Sequence, residues 1–139
     1  GYLQFLGSLA EGLAGLGHLE EAGSKLERAI AWAGHSGETW YLAELMRLKG
    51  ELMLQRSLAD EAADCFRTAQ EIAREQGALF WQLRIVLSLA RWRVTQGRHD
   101  EARRLLAPVY DRFTEGFSTP DLRAAKALLH QVGRTPSIE

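Results

Sequence analysis

One cysteine, three prolines and no long apolar run bound what this 139-residue chain can be. With Cys65 alone there is no internal disulfide and no cysteine-based zinc site, which fits a reducing, cytoplasmic compartment. No apolar stretch approaches the ~20 residues needed to span a bilayer, and no basic-then-apolar leader is present. The charges nearly cancel, 17 basic against 18 acidic, and no basic block is longer than Arg103–Arg104. Neither nucleic acid nor a membrane is therefore an expected partner. Prolines stand only at positions 108, 120 and 136, and Val, Ile and Thr are sparse and never alternate with polar residues over a strand's length. The composition predicts an all-α fold.

Catalytic signatures are missing as well. The glycine-rich "GLAGLG" lacks the Lys and Ser/Thr that a phosphate-binding loop requires. The histidines at 18, 35, 99 and 130 share no HExxH spacing. One stretch does invite a chemical reading: "GRHDEARRLL", where His99, Asp100 and Glu101 stand side by side. Its meaning changes when it is set beside "GHLEEAGSKL" and "RSLADEAADCF", because the acid pair occurs in all three. No catalytic residue, metal ligand or cofactor is expected, and the chain reads as a non-enzyme.

What is present is a repeat of forty residues. Ala22, Ala62 and Ala102 each follow a glutamate, Glu21, Glu61 and Glu101. The same shift maps Leu26 onto Phe66 and Leu106, Ala10 onto Gly50 and Ala90, and Gly17 onto Ser57 and Gly97. Small residues meet small ones and large apolar residues meet large ones, so each unit predicts two helices. In the second helices an apolar stripe runs at helical spacing: Ala62, Phe66, Ala69 and Ala73 in one, Ala102, Leu105, Leu106, Val109 and Phe113 in another. Acidic residues at their starts complement the positive end of the helix dipole. Gly37 and Gly77 serve the turns between units. The boundaries read as repeats of about 1–36, 37–76 and 77–116, a capping helix over 119–132 with Thr119 as N-cap and Pro120 in the first turn, and a tail at 134–139, the whole of 1–133 forming one domain.

The small/large pattern resembles the tetratricopeptide repeat, with "AADCF", "ARRLL" and "AGSKL" standing for its A-x3-F element. The period departs from that family's 34 residues, and the usual proline between repeats is absent. The resemblance implies a right-handed α-solenoid of three helix pairs plus the capping helix, with the first helices lining a concave groove. Residues in that groove that would contact a partner are Glu44, Arg47, Glu51, Gln55, Arg84 and Arg91. Glu44 aligns with Arg84 and Glu51 with Arg91, so pairing between repeats competes with partner binding. Trp40, Tyr41, Phe80 and Trp81 form an aromatic ladder at the heads of the first helices, a binding ledge or a filler; Trp32 and Trp92 are expected to be more exposed. In the first helix, Gly7, Gly12 and Gly15 weaken a segment that nevertheless begins with Tyr2, Leu3, Phe5 and Leu6. Its apolar face needs either a preceding repeat or a second copy of the chain.

Three longer stretches carry a more specific likeness: "WYLAELMRLKGELML" (40–54), "ALFWQLRIVLSLARW" (78–92) and "LLAPVYDRFTEGFSTPDLRAAKALL" (105–129). They resemble the C-terminal repeat region of large bacterial signalling proteins in which a STAND-type ATPase module follows an adenylate or guanylate cyclase domain or a DNA-binding transcriptional activator domain. The resemblance implies a non-catalytic regulatory segment of a longer cytoplasmic protein, whose partner is its own NTPase or output domain or a separate protein. A homodimer through the first helix and a small-molecule effector held in the groove are the alternative expectations.

Overall fold

The computed structural model describes residues 1–133. Among them are seven α-helices and no strand: α1 (Tyr2–Gly15), α2 (Leu19–Ser36), α3 (Leu42–Gln55), α4 (Ala59–Glu75), α5 (Leu79–Thr95), α6 (His99–Tyr110) and α7 (Pro120–Gly133). The chain groups into two compact units, Gly1–Ala78 and Leu79–Glu139. The fold is all-α, and no helix of the described residues is long and apolar enough to cross a membrane.

Three helical hairpins recur, α1–α2, α3–α4 and α5–α6, and one turn builds them all. At the end of α1, the Gly17 amide donates to the Ala14 carbonyl at 3.0 Å and the His18 amide to the Leu13 carbonyl at 2.8 Å. Ser57 and Leu58 donate in the same way to Leu54 and Met53, and Gly97 and Arg98 to Val94 and Arg93. This double closure is the Schellman motif, which takes up the last free carbonyls of a helix and needs a left-handed residue at its centre. Gly17, Ser57 and Gly97 fill that place with φ of 84°, 61° and 75°. Ser57 is the one non-glycine residue with positive φ among the described residues. The residues just before the second helices, His18, Leu58 and Arg98, share one backbone conformation and provide no side-chain cap. The acid pairs Glu20–Glu21, Asp60–Glu61 and Asp100–Glu101 occupy the first turns instead, where negative charge favours the helix dipole.

In the first unit α3 packs on both helices of the α1–α2 hairpin, as well as on its own partner α4. Small residues make the close approaches. A Cβ on Gly7 would sit 3.4 Å from Leu48 and Tyr41, and one on Gly50 would sit 2.8 Å from the ring of the fully buried Phe66. Polar ties join the hairpins: Lys49 to Glu27 at 2.8 Å, Gln55 to the Ala14 carbonyl at 3.1 Å and Gln76 to the Thr39 carbonyl at 2.9 Å. Each side chain reaches a group in another helix or turn.

The second unit has one hairpin and α7, which packs on both α5 and α6. Its core joins Leu83, Val86, Leu87 and Ala90 of α5 to Ala102 and Leu106 of α6 and to Leu122, Ala125, Leu128 and Val132 of α7. Pro120 opens α7, where its missing N–H is no loss. The helix carrying the apolar stripe expected to run to Phe113 ends at Tyr110. Beyond Tyr110 the Arg112 and Phe113 amides donate only three residues back, to Val109 and Tyr110, so Phe113 falls beyond the helix, although its side chain still packs on the core of this unit.

Candidate functional site

The charges expected to grip a partner are engaged by the chain itself. Glu44 and Arg47 are both buried on α3, and the guanidinium donates two bonds of 2.8 Å to the carboxylate. Glu51, one turn further on, lies 3.7 Å from the same arginine. Such a planar, doubly bonded pair is the arrangement for which arginine is suited. On α5, Arg84 reaches Asp121 of α7, 37 residues away in sequence, at 2.9 and 3.1 Å. Gln55 is tied to the Ala14 carbonyl, while Arg91 is exposed and makes no ion pair among the described residues. Of the six groove residues, then, the structure brings Glu44, Arg47 and Glu51 together and gives Arg84 an acidic partner from the last helix.

The aromatic residues fall into two like pairs. Trp40 and Tyr41 have ring centroids 5.2 Å apart, and Phe80 and Trp81 5.4 Å, both tilted. In each pair the first ring is exposed and the second is covered, wholly for Tyr41 and partly for Trp81. The pairs differ in setting: Trp40 and Tyr41 precede α3, whereas Phe80 and Trp81 lie in the first turn of α5. Trp32 is exposed and edges against Tyr2 at 5.3 Å. Trp92 is half-buried, with the Arg93 guanidinium 4.9 Å from the centre of its ring.

The His99–Asp100–Glu101 trio is split by the geometry. Asp100 accepts from Arg103 at 2.9 Å and Glu101 from Arg98 at 2.6 Å. His99 is half-buried at the head of α6, and its Nδ1 has no hydrogen-bond partner. Both acids are held by arginines three residues away, so neither carboxylate is arranged to orient the imidazole. No group of three or more His, Cys, Asp or Glu residues capable of holding a metal occurs among the described residues. Cys65 is buried on α4, and that burial pushes its thiol up from the ordinary range, with the nearby Lys49 opposing the shift. A neutral, covered thiol is a poor nucleophile.

One site was missed by the sequence reading. Between the end of α6, the segment after it and α7 lies an open cleft of about 810 Å³. Tyr110, Phe117, Ala127 and Leu129 give it apolar surface, and Arg123, Lys126 and His130 stand beside them. The two rings lie 5.9 Å apart at 54°. Phe117 is reached through a turn in which Gly116 takes a φ of 77° and its carbonyl accepts from the Thr119 amide, which feeds the chain directly into α7. A signal for the site was available: Arg123, Lys126 and His130 share one face of a helix. No sequence pattern shows that the aromatic residues before α7 would face them. No protein-family model matches the chain, and neither a curated protein nor a solved structure matches it.

Proposed function

We propose that this chain is a non-catalytic, tetratricopeptide-like protein-interaction module that regulates a larger bacterial signalling protein with ATPase, cyclase or transcriptional-activator output. In this reading the hairpins stack as a right-handed solenoid and present surface rather than reactive groups. The observation that carries it is the recurrence, at forty-residue spacing, of one hairpin turn centred on Gly17, Ser57 and Gly97. Helical hairpins repeated in series build extended binding surfaces, each unit burying its neighbour's apolar face. The likeness of residues 40–54, 78–92 and 105–129 to the repeat region of STAND-type signalling proteins supplies the regulatory context. Deleting residues 1–133 from the parent protein tests it. Altered ATP turnover or altered output is expected; unchanged turnover, output and partner binding together would overturn the reading.

A second reading, self-association, is favoured by the outer face of α1. Tyr2, Phe5 and Leu9 project from it at 46%, 63% and 37% exposure, next to Trp32 at 46%. Contiguous exposed apolar surface of this kind marks an interface. Light scattering over a range of concentrations decides it: a concentration-dependent dimer that Phe5→Glu abolishes supports the reading, and a monomer throughout rejects it.

A further inference from the structure

We propose that the cleft between α6 and α7 is a docking site for an acidic protein segment that carries an apolar anchor side chain, a proposal that rests on the chain being a protein-interaction module. The starting point is where basic side chains without an acidic partner gather. Arg28, Arg56, Arg74, Arg91 and Arg104 also lack an ion pair among the described residues, but α7 brings three basic side chains to the edge of one apolar cleft. Arg47, Arg67, Arg84, Arg93, Arg98 and Arg103 each lie within ion-pair distance of an Asp or Glu. The side chains of Arg123, Lys126 and His130 make no ion pair or hydrogen bond with any described residue. All three are exposed, and they occupy positions i, i+3 and i+7 of α7. That spacing puts them on one face, at axial rises of about 4.5 and 10.5 Å from the first.

Beside this row lies the apolar floor formed by Tyr110, Phe117 and Leu129. Phe117 is 45% exposed, held against Tyr110 rather than buried in the core. An exposed ring against a half-buried one, next to basic side chains without an acidic partner, is the composition of an interface hot spot, where a ring supplies contact area and charge supplies orientation. The ligand class follows from shape and charge. The cleft is open along one side, so it cannot enclose a small molecule as a closed cavity does. Its cations are strung along a helix, which matches carboxylates distributed along a chain better than the compact charge of one phosphate. Two cations, Arg123 and Lys126, with one histidine on a chain of net charge −1 are also few for nucleic acid, whose binding depends on neutralising many phosphates. What remains is a peptide whose acidic side chains meet Arg123 and Lys126 while a Leu or Phe lies on Phe117 and Tyr110, in the manner of helix-in-groove recognition.

The test is fluorescence anisotropy on the purified chain. The probes are a labelled peptide with leucine at i, i+3, i+4 and i+7 and glutamate on the flanking positions, the same peptide with glutamine for glutamate, and a labelled single-stranded oligonucleotide. Saturable binding is expected for the acidic peptide alone, weakening as salt is added. The double variant Arg123→Glu/Lys126→Glu should lose about tenfold or more in affinity, since each reversed charge both removes an attraction and adds a repulsion. Phe117→Ser should weaken binding several-fold without altering the helical circular dichroism, because the ring lies outside the core. Arg67→Glu/Arg103→Glu, an equal change of charge elsewhere on the surface, should leave affinity unchanged.

Absence of saturable binding, equal losses in both double variants, or an oligonucleotide that binds as tightly as the peptide would each overturn the proposal. The regulatory reading is scored separately. If deleting residues 1–133 alters the parent's output and Arg123→Glu/Lys126→Glu does not, the cleft is wrong and the module stands. If the peptide binds as described and the deletion changes nothing, the cleft stands and the regulatory role falls.

Discussion

Where the α3–α4 hairpin crosses, Gly50 faces the ring of Phe66; at the aligned positions the α5–α6 hairpin holds Ala90 and Leu106. Both solutions fill a closely packed crossing, one with a bare backbone and a large ring, the other with a methyl and a smaller branch. The turns show the same freedom. Ser57 and Gly97 adopt the same left-handed conformation and close the same two hydrogen bonds, although only one is glycine. The charges diverge further: Arg47, buried and bonded to Glu44, aligns with the buried Leu87. Cys65 aligns with Leu105. The two hairpins therefore share a backbone plan and a total of volume at the crossing, and neither needs particular residues beyond that.

Exchanging residues between the two hairpins breaks this equivalence by predictable amounts. Arg47→Leu brings in the residue of α5 and removes two charge-assisted bonds that hold a buried carboxylate. A loss of about 2–3 kcal/mol is expected in urea denaturation, with Glu44→Gln/Arg47→Leu recovering part of it because the buried charge goes too. Gly50→Ala places a methyl against Phe66, which is fully buried and has no space to swing into, so a loss of about 1–3 kcal/mol should follow. Phe66→Leu alone leaves a void, yet the pair Gly50→Ala/Phe66→Leu recreates the α5–α6 crossing and should lie within about 1.5 kcal/mol of the parent. A double-mutant cycle that showed simple additivity would mean that the two positions are not coupled.

Smaller effects belong to the turns. Ser57→Gly should raise stability by about 0.5–1 kcal/mol, and Gly97→Ser should lower it by a similar amount, because only glycine occupies the left-handed region without a Cβ penalty. Thermal melts of the two variants shifting in the same direction would contradict the shared turn. The smallest effect concerns Cys65. Its folded-state thiol is pushed up, so both folded and unfolded chains are protonated below the ordinary thiol pKa of about 8.5 and the stability it permits is fully present there. As pH rises above that value the unfolded chain loses the proton first, so stability falls. Cys65→Leu, the residue at the aligned position of α6, should flatten the stability profile above pH 8.5, and the parent thiol should react slowly with a thiol reagent until the chain is unfolded.

Much of the helical layout was legible from residues alone. Gly17, Ser57 and Gly97 mark the hairpin turns, Gly37 and Gly77 the turns between hairpins, and Pro120 the start of α7. These are local matters, decided by hydrogen bonds spanning five residues and by φ at a single residue. The stripe reaches Phe113 in packing, since that ring rests on the core of its unit, while the helix itself ends at Tyr110. Charge pairing was different. Aligning the repeats does not reveal that Arg47 donates to Glu44 three residues before it, or that Arg84 reaches Asp121, which lies outside the repeat. The cleft was hidden for a related reason: Tyr110 and Phe117 belong to the segment where the period lapses.

By itself, then, the sequence determined seven helices, the conformation of the turns joining them into hairpins and the acid pairs at the heads of the second helices, because each depends on neighbours within about one turn. Which cations are held and which are left facing solvent was decided only by the tertiary structure. Coulomb attraction and desolvation depend on separation and burial in space, and those arise when α7 settles on α5 and α6. In that arrangement Asp121 is turned inward to Arg84, while Arg123, Lys126 and His130 of the same helix remain outside, beside Phe117.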